Sequence, residues 1–547
     1  MKILLPVVLY FILINNLFAQ STVESLQLNR NFLVNSAGLP EEFLLFAPDS
    51  AAGVLFNPAR GNNFKDNFIY INYFSDYTNS YYSTVNIPFP FVNNGVFYFP
   101  ALNKETFTSQ NPTFSIASLF KAGSIKWLLT FSNGVNSNEI QNSTLDNSER
   151  ISTPIDESRN LSLLNYLNYI KQDQTLTTLK LSGIWGNKTS SYSLGIFGIL
   201  LSDNYYLTRN YYSPGYRINA SIDTLIIRSY SLTADNGKED EKIKKYAAGI
   251  EFSINTDHLD YVGSATYQKS IIPQNFIDNY SFIQYDSLSA VDPVQWQVSG
   301  HNYIMGVNGN ISGNLNGISS NNYFRYKTDL FMQDDNIFFS FNGYYISGDR
   351  NFNRYVNRIT KDINQNAATI DTANDDISGI LNNKSWNVNL SAGYAAVFPL
   401  DDINILSGLR LKGSYGNLEN ASGNLSSGYS ASMITSKDKN SYFMITLPLY
   451  INFSPEKWIS VYGGINYSYY YLYQKSEDNN SYISISNYSY IVKENENYYQ
   501  KTSQWQSAKS IYVGCELRHK SGLRIQFFFD NDITLVRSWN ISVGYHF

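Results

Sequence analysis

The sequence predicts an all-β fold: a transmembrane antiparallel β-barrel of roughly 14–18 strands, an even number, with an amino-terminal plug. Three observations carry that expectation. Aromatic and charged residues each make up 16% of the chain, whereas soluble domains carry about a quarter charged residues and disordered chains are poor in aromatics. After the first twenty residues no apolar run reaches the roughly 18 residues of a spanning helix. Long segments instead alternate apolar and polar residues with period two, as strands with two unlike faces do. A length of 547 residues would suit several soluble domains, but closed β architectures use several hundred residues in one unit.

The amino end reads MKILLPVVLYFILINNLFAQ, with Lys2, an apolar run from Ile3 to Leu13, and small Ala19. This is the pattern of a secretory signal peptide over 1–19, cleaved after Ala19. The run is too short for a membrane anchor, and no Cys stands beside the cleavage region for lipid attachment. Residues 20–66 lack strand alternation and are expected to form the plug; residues 67–547 are expected to form the barrel.

The carboxyl-terminal segment 533–547 separates into two faces with one exception on each, Arg537 and Val536. Ile533, Leu535, Arg537, Trp539, Ile541, Val543, Tyr545 and Phe547 fall on the apolar face; Thr534, Val536, Ser538, Asn540, Ser542, Gly544 and His546 fall on the other. Arg537 is expected to snorkel to the far interface, and Tyr545 and Phe547 to form the near aromatic girdle and the insertion signal for barrel-assembly machinery. Ile511, Val513, Cys515 and Leu517 repeat the pattern, as do Leu523, Ile525, Phe527 and Phe529. Trp386 to Phe398 and Phe443 to Phe453 do so too. Only a closed sheet leaves no unpaired edge in lipid, which is why such segments point to a barrel.

Short turns are expected at Lys121–Ser124, Asn187–Ser190, Pro399–Asp402, Ser454–Lys457 and His519–Gly522, on the periplasmic side. Long polar stretches near 136–173, 206–242, 271–293, 348–383, 418–438 and 475–504 are expected outside. About nineteen spanning candidates can be marked from Asn67 onward, an odd number that a closed bacterial barrel does not take. The parity breaks between Val294 and Ile346.

Catalytic and metal chemistry find little support. Gly183–Thr189 lacks the spacing and helix of a phosphate loop, and Asp235–Glu241 lacks the ligand pattern of a calcium loop. One cysteine and four scattered histidines offer neither a disulfide framework nor a zinc cluster. No cofactor and no enzymatic activity are expected. A formal net charge of -5 supplies no electrostatic footprint for nucleic acid. On the polar strand faces, Arg410, Lys412, Glu516, Arg518, Arg524, Gln526 and Asp530 are candidates to line the lumen or to brace the plug. Leu163, Leu164, Leu167 and Ile170 suggest a short amphipathic helix on the outer rim, since Leu163, Leu167 and Ile170 recur at helical spacing. Such a helix could offer an apolar groove. Pro88, Pro90 and Pro448 each remove a ladder hydrogen bond from a strand.

The run Asp49–Ala59, with its Asn57-Pro58-Ala59 turn, resembles the plug signature of the FadL-type long-chain fatty acid transporters and their PorV-like relatives. A Gly-rich lead-in expected there is replaced by Glu41–Phe46. The resemblance implies a 14-stranded barrel with an amino-terminal hatch, hydrophobic cargo, and a kinked strand that opens sideways. The expected function is diffusion of small, hydrophobic molecules across a bacterial outer membrane, with no energy-coupling motif in the sequence. The alternative is a PorV-like adaptor whose outer loops hold a secreted protein. Expected partners are outer-membrane lipid, lipopolysaccharide and a small apolar solute; the oligomeric state is open.

Overall fold

Strand pairing turns the alternation into a closed wall. The computed structural model describes residues 43, 50–64, 66–86, 96–98, 101–151, 158–187, 189–221, 224–287, 298–328, 335–364, 367–426, 430–486, 489–530 and 538–547. The signal peptide, Glu41, Glu42, Asp49, Pro88, Pro90, Ile533, Leu535 and Arg537 therefore lie outside the described residues. Within them, one antiparallel sheet of sixteen wall strands closes on itself.

The first strand, β1 (Phe68–Asn86), pairs with β2, which comprises Val96–Tyr98, Ala101–Gln110 and Thr113–Ala122. The wall continues through β3 (Ile125–Ile151), β4 (Ser158–Gly186), β5 (Ser190–Ser221) and β6 (Thr224–Thr256). Next come β7, made of Leu259–Ile271 and Gln274–Ser287, then β8 (Val298–Thr328), β9 (Asp335–Asn364) and β10 (Ala367–Leu400). The last six are β11 (Ile403–Ser426), β12 (Ser430–Glu456), β13 (Ile459–Ser486), β14 (Ser489–Arg518), β15 (Leu523–Asp530) and β16 (Ser538–His546). β16 returns to β1, with Phe68 opposite His546 and Asp76 opposite Ser538.

The even count resolves the parity problem, and it corrects the fourteen strands that the resemblance implied. Segments split by proline count twice in a linear reading. β2 is interrupted at Pro112 and β7 at Pro273, where no N–H is available to the ladder. Their carbonyls still serve it, accepting from Val135 N at 2.8 Å and Lys242 N at 3.1 Å. Between Val294 and Ile346 lie β8 and the start of β9. Pro448 acts similarly: β11–β12 pairing lapses at Gly408 and Leu409, between Ser407↔Leu449 and Arg410↔Thr446.

The outward face is greasy, as period two requires. Ile69, Ile196, Ile250, Leu447, Ile451, Ile511 and Val543 are exposed on it. Trp185, Tyr192, Tyr545 and Phe547 edge this band at the short-turn end, and Tyr246, Tyr267, Tyr345 and Tyr415 edge it at the other. Along β12, ten residues separate Phe453 from Phe443, roughly 25 Å of membrane thickness at a tilt near 40°. All five expected short turns are present, with Gly123 (φ 66) and Asp401 (φ 42) in the left-handed region that tight turns use. A sixth, at Asp257-His258 between β6 and β7, was missed in the sequence.

The long polar stretches continue the strands. β6 runs about 20 residues beyond Tyr246, roughly 50 Å past the membrane band. The same geometry overturns the helix expected over 163–170: Leu163, Leu164, Leu167 and Ile170 lie inside β4. Both flanks of this stretch are paired, Leu167 standing opposite Ser143 and Asn210. The β3 ladder runs through the whole stretch and the β5 ladder lapses only at Leu163 and Leu164, and Tyr166, Tyr169 and Ile170 favour strand. Leu167 and Ile170 then point to opposite faces, so the helical stripe and its groove do not form.

Bulky inward side chains fit because glycines face them. At Gly464 a Cβ would collide with the Tyr512 ring, and at Gly514 with the Tyr462 ring. Gly464→Val is therefore expected to destabilise the barrel by about 1–3 kcal/mol through overpacking. The check is a lower denaturation midpoint in urea, and an unchanged midpoint would contradict this account.

Candidate functional site

The amino-terminal segment packs against the inner face of the wall near the short-turn end. Ser50–Phe56 forms a helix, α1, from the small and apolar run SAAGVLF. Asn57 follows it in extended conformation and caps a 3-10 turn over Pro58–Asn62. Proline fits that first position because its fixed φ and missing N–H cost the turn nothing. The Asn57 Oδ1 accepts from Ala59 N, as an N-cap does.

The Asn57-Pro58-Ala59 turn is tied to three wall strands. Asn57 Nδ2 donates to Ile254 O at 3.0 Å and to Asp260 Oδ1 at 2.7 Å. Ala59 N donates to Ser253 Oγ at 3.1 Å, and Ser191 Oγ donates to Ala59 O at 2.8 Å. The next residue adds charge. Arg60 Nε and Nη2 reach Asp260 Oδ1 and Oδ2 at 3.1 and 2.7 Å, the bidentate geometry that guanidinium favours. Arg325 Nε of β8 approaches the same carboxylate at 2.6 Å, and the Asp260 side chain is 0% exposed. Gly53 leaves room for this: a Cβ there would stand 3.0 Å from Arg60 Nη1.

Beside this anchor two apolar clusters cover the rest of the segment. Phe43 and Phe56 join Val262, Tyr323, Phe338, Ala395, Leu406, Tyr450, Tyr462, Tyr512 and Phe528 in one cluster. Ala51, Val54 and Leu55 join Phe68, Tyr70, Ala117, Leu119, Leu128 and Ile184 in a second. Phe56 meets Tyr323 edge-on at 4.9 Å and Phe43 meets Phe338 at 5.1 Å. Tyr450, Tyr512 and Phe528 continue as stacked rings at 6.3 and 5.8 Å. At this level buried aromatic rings form a collar on the inner face of the wall.

The expected lumen set divides into three. Glu516, 2% exposed, receives Arg518 Nη2 at 2.8 Å and Arg524 Nη1 at 3.4 Å, and Gln526 stands opposite it. Arg410 and Lys412 lie on β11, apart from that trio, with Lys412 Nζ 5.7 Å from the Tyr442 ring. Asp530 pairs through its backbone with Tyr512; its side chain is outside the described set.

Neither a protein-family model nor a curated protein matches this chain. Among solved structures it is similar to the siderophore receptor PirA from Acinetobacter baumannii, at 8% identity and TM-score 0.19, covering 88% of this chain and 80% of that one. It is also similar to the outer membrane transporter YddB from Escherichia coli, at 11% identity and TM-score 0.20, again covering 88% and 80%. Likeness at that level adds nothing to the closed sheet, which the strand pairing itself establishes.

Several buried charged positions were invisible in the sequence. Asp260, Arg60, Arg325 and the buried Lys180–Glu251 pair join residues up to 265 positions apart, and no local motif marks them. The usable signal was inward parity: Asp260 shares its face with Val262 and Ser264. Among the described residues no group of His, Cys, Asp or Glu could hold a metal ion.

Above the membrane band, five residues past Tyr246, Glu241 is 1% exposed. Burial first, then the like charges of Glu239 and Asp203, push its pKa up to about 8, against the pull of Arg350 and Lys245. A carboxyl whose folded pKa exceeds its unfolded value stabilises the fold at low pH and loses that contribution as pH rises toward about 8. Stability in urea is thus expected to fall between pH 5 and 8, and Glu241→Gln to flatten that slope. Parallel slopes for the two proteins would refute the assignment.

Proposed function

We propose that this chain is a bacterial outer-membrane channel that passes small, apolar molecules by diffusion, with its amino-terminal segment as the plug. The observation that carries this reading is the aromatic collar: beside the charged anchor at Asp260, Phe43 and Phe56 of the segment share one buried cluster with Tyr323, Phe338, Tyr450, Tyr462, Tyr512 and Phe528 of the wall. Apolar solutes gain from such a surface, while hydrated ones must shed water to cross it. The closed wall with its greasy band fits residence in an outer membrane, where strands span as barrels. The lapse in pairing at Pro448 lies beside Gly408, whose inward face is covered by Phe43, which suits a sideways exit into lipid.

The test is uptake by porin-deficient cells with and without the chain. A small aromatic hydrocarbon is expected to enter several-fold faster with it, and a sugar of similar size much less so. Equal hydrocarbon uptake in both strains would refute the channel. A second reading, an adaptor for a secreted protein, is favoured by one observation, the strands that rise far above the membrane band. Affinity capture of a stoichiometric secreted partner would support it.

A further inference from the structure

One row of side chains on the outward face carries more positive charge than its neighbours neutralise. Lys439 of β12 stands directly opposite Lys475 of β13, and Lys475 opposite Lys501 of β14. Like charges facing one another across strands destabilise a sheet. The row just above avoids this: Lys384, Glu419, Lys437 and Glu477 follow one another with alternating sign. The lower row instead continues from Lys439 into uncharged Asn417 and Trp386. Glu477 pairs with Lys475. Its pKa is held below the usual range by that hydrogen bond first, and also by the charges of Lys439 and Lys437. One carboxylate already shared among several lysines leaves positive charge in excess.

Aromatic rings lie between this row and the lipid band. Tyr469 and Trp505 stack at 5.0 Å with planes 11° apart, and Tyr471 lies 4.9 Å from Trp505. Lys501 sits 5.5 Å over Tyr473 and Lys475 5.0 Å over Tyr499. Lys509 faces Tyr467 lower on the same side. Lys439 is four residues beyond Phe443, about 10 Å above the edge of the greasy band. That is the depth of lipid headgroups, where basic clusters attract anionic lipid.

We propose that the Lys439–Lys475–Lys501 row binds the phosphorylated saccharide headgroup of an outer-leaflet glycolipid. The ammonium groups hold phosphate, and the Tyr469–Trp505 stack meets the sugar and the first methylenes. A ligand that is half anion and half acyl chain fits because the row runs straight into the lipid-facing wall. The inference rests on the outer-membrane location proposed above, but its test involves no transport, so the two can fail separately.

The whole chain, purified in detergent, is mixed with bisphosphorylated lipid A, its dephosphorylated form, or phosphatidylglycerol, and complexes are read by native mass spectrometry. Wild type is expected to retain lipid A at least tenfold better than either other lipid. K439Q/K475Q/K501Q is expected to lose that preference, K439R/K475R/K501R to keep it, and Lys437→Gln to leave it unchanged. Heat-dependent gel mobility confirms that each variant is a folded barrel. Equal retention of dephosphorylated lipid A or phosphatidylglycerol by wild type would overturn the proposal, as would undiminished lipid A binding by the folded triple glutamine variant.

Discussion

Asp260→Asn is expected to free the amino-terminal segment from the wall and to raise permeability to small polar solutes at least several-fold. The carboxylate is fully buried and meets Arg60, Arg325 and Asn57 at once. Removing one member of a buried charge set costs about 3–5 kcal/mol, because the remaining guanidiniums keep their desolvation cost without a counter-charge. The wall has its own ladders and should persist, so heat-dependent gel mobility should stay that of a folded barrel. Conductance across planar bilayers and protease cleavage within 43–62 should both rise. Replacing all three charges together, with Arg60→Met, Arg325→Met and Asp260→Leu, should restore much of the closure. Unchanged conductance and cleavage in Asp260→Asn would rule out the anchor.

Phe43→Ala combined with Phe56→Ala should produce the second large effect, through packing rather than charge. Each ring is buried against an inward aromatic of the wall, Phe338 or Tyr323. Truncating a buried Phe costs about 3–5 kcal/mol, part of it from the cavity left behind. Both residues belong to one cluster, so their effects are not expected to add simply. The prediction is faster cleavage of the segment and loss of selectivity, with sugars entering nearly as fast as hydrocarbons of the same size. Retained discrimination in the double variant would place the selective surface elsewhere.

The wall was legible because lipid imposes a local rule. Leu447, Leu449, Ile451 and Phe453 reveal their face two residues at a time, whichever strands they pair with. The turns were legible for the same reason, each being read from four residues. Besides the Asp257-His258 turn, three features escaped. Leu163, Leu167 and Ile170 satisfied a helical spacing by coincidence within a strand that both neighbours claim. Proline splits at Pro112 and Pro273 multiplied the apparent segments. The Asp260 anchor joins α1's flank to strands some 200 residues away, and no window along the chain contains both partners. The Asn57-Pro58-Ala59 turn stood out in the sequence, but the hydrogen bonds that fix it did not.

The seam between β1 and β16 sets how the molecule can be made. Phe68 must find His546, and Tyr70 Oη and His546 Nε2 lie 2.7 Å apart across it, bridging nearly the entire polypeptide. Until β16 (Ser538–His546) arrives, β1 and β15 each keep an unsatisfied margin that acyl chains cannot solvate. The cylinder can therefore be sealed only after β16 has been made. A product that stops short of β16 would remain a substrate for chaperones and proteases rather than a smaller pore.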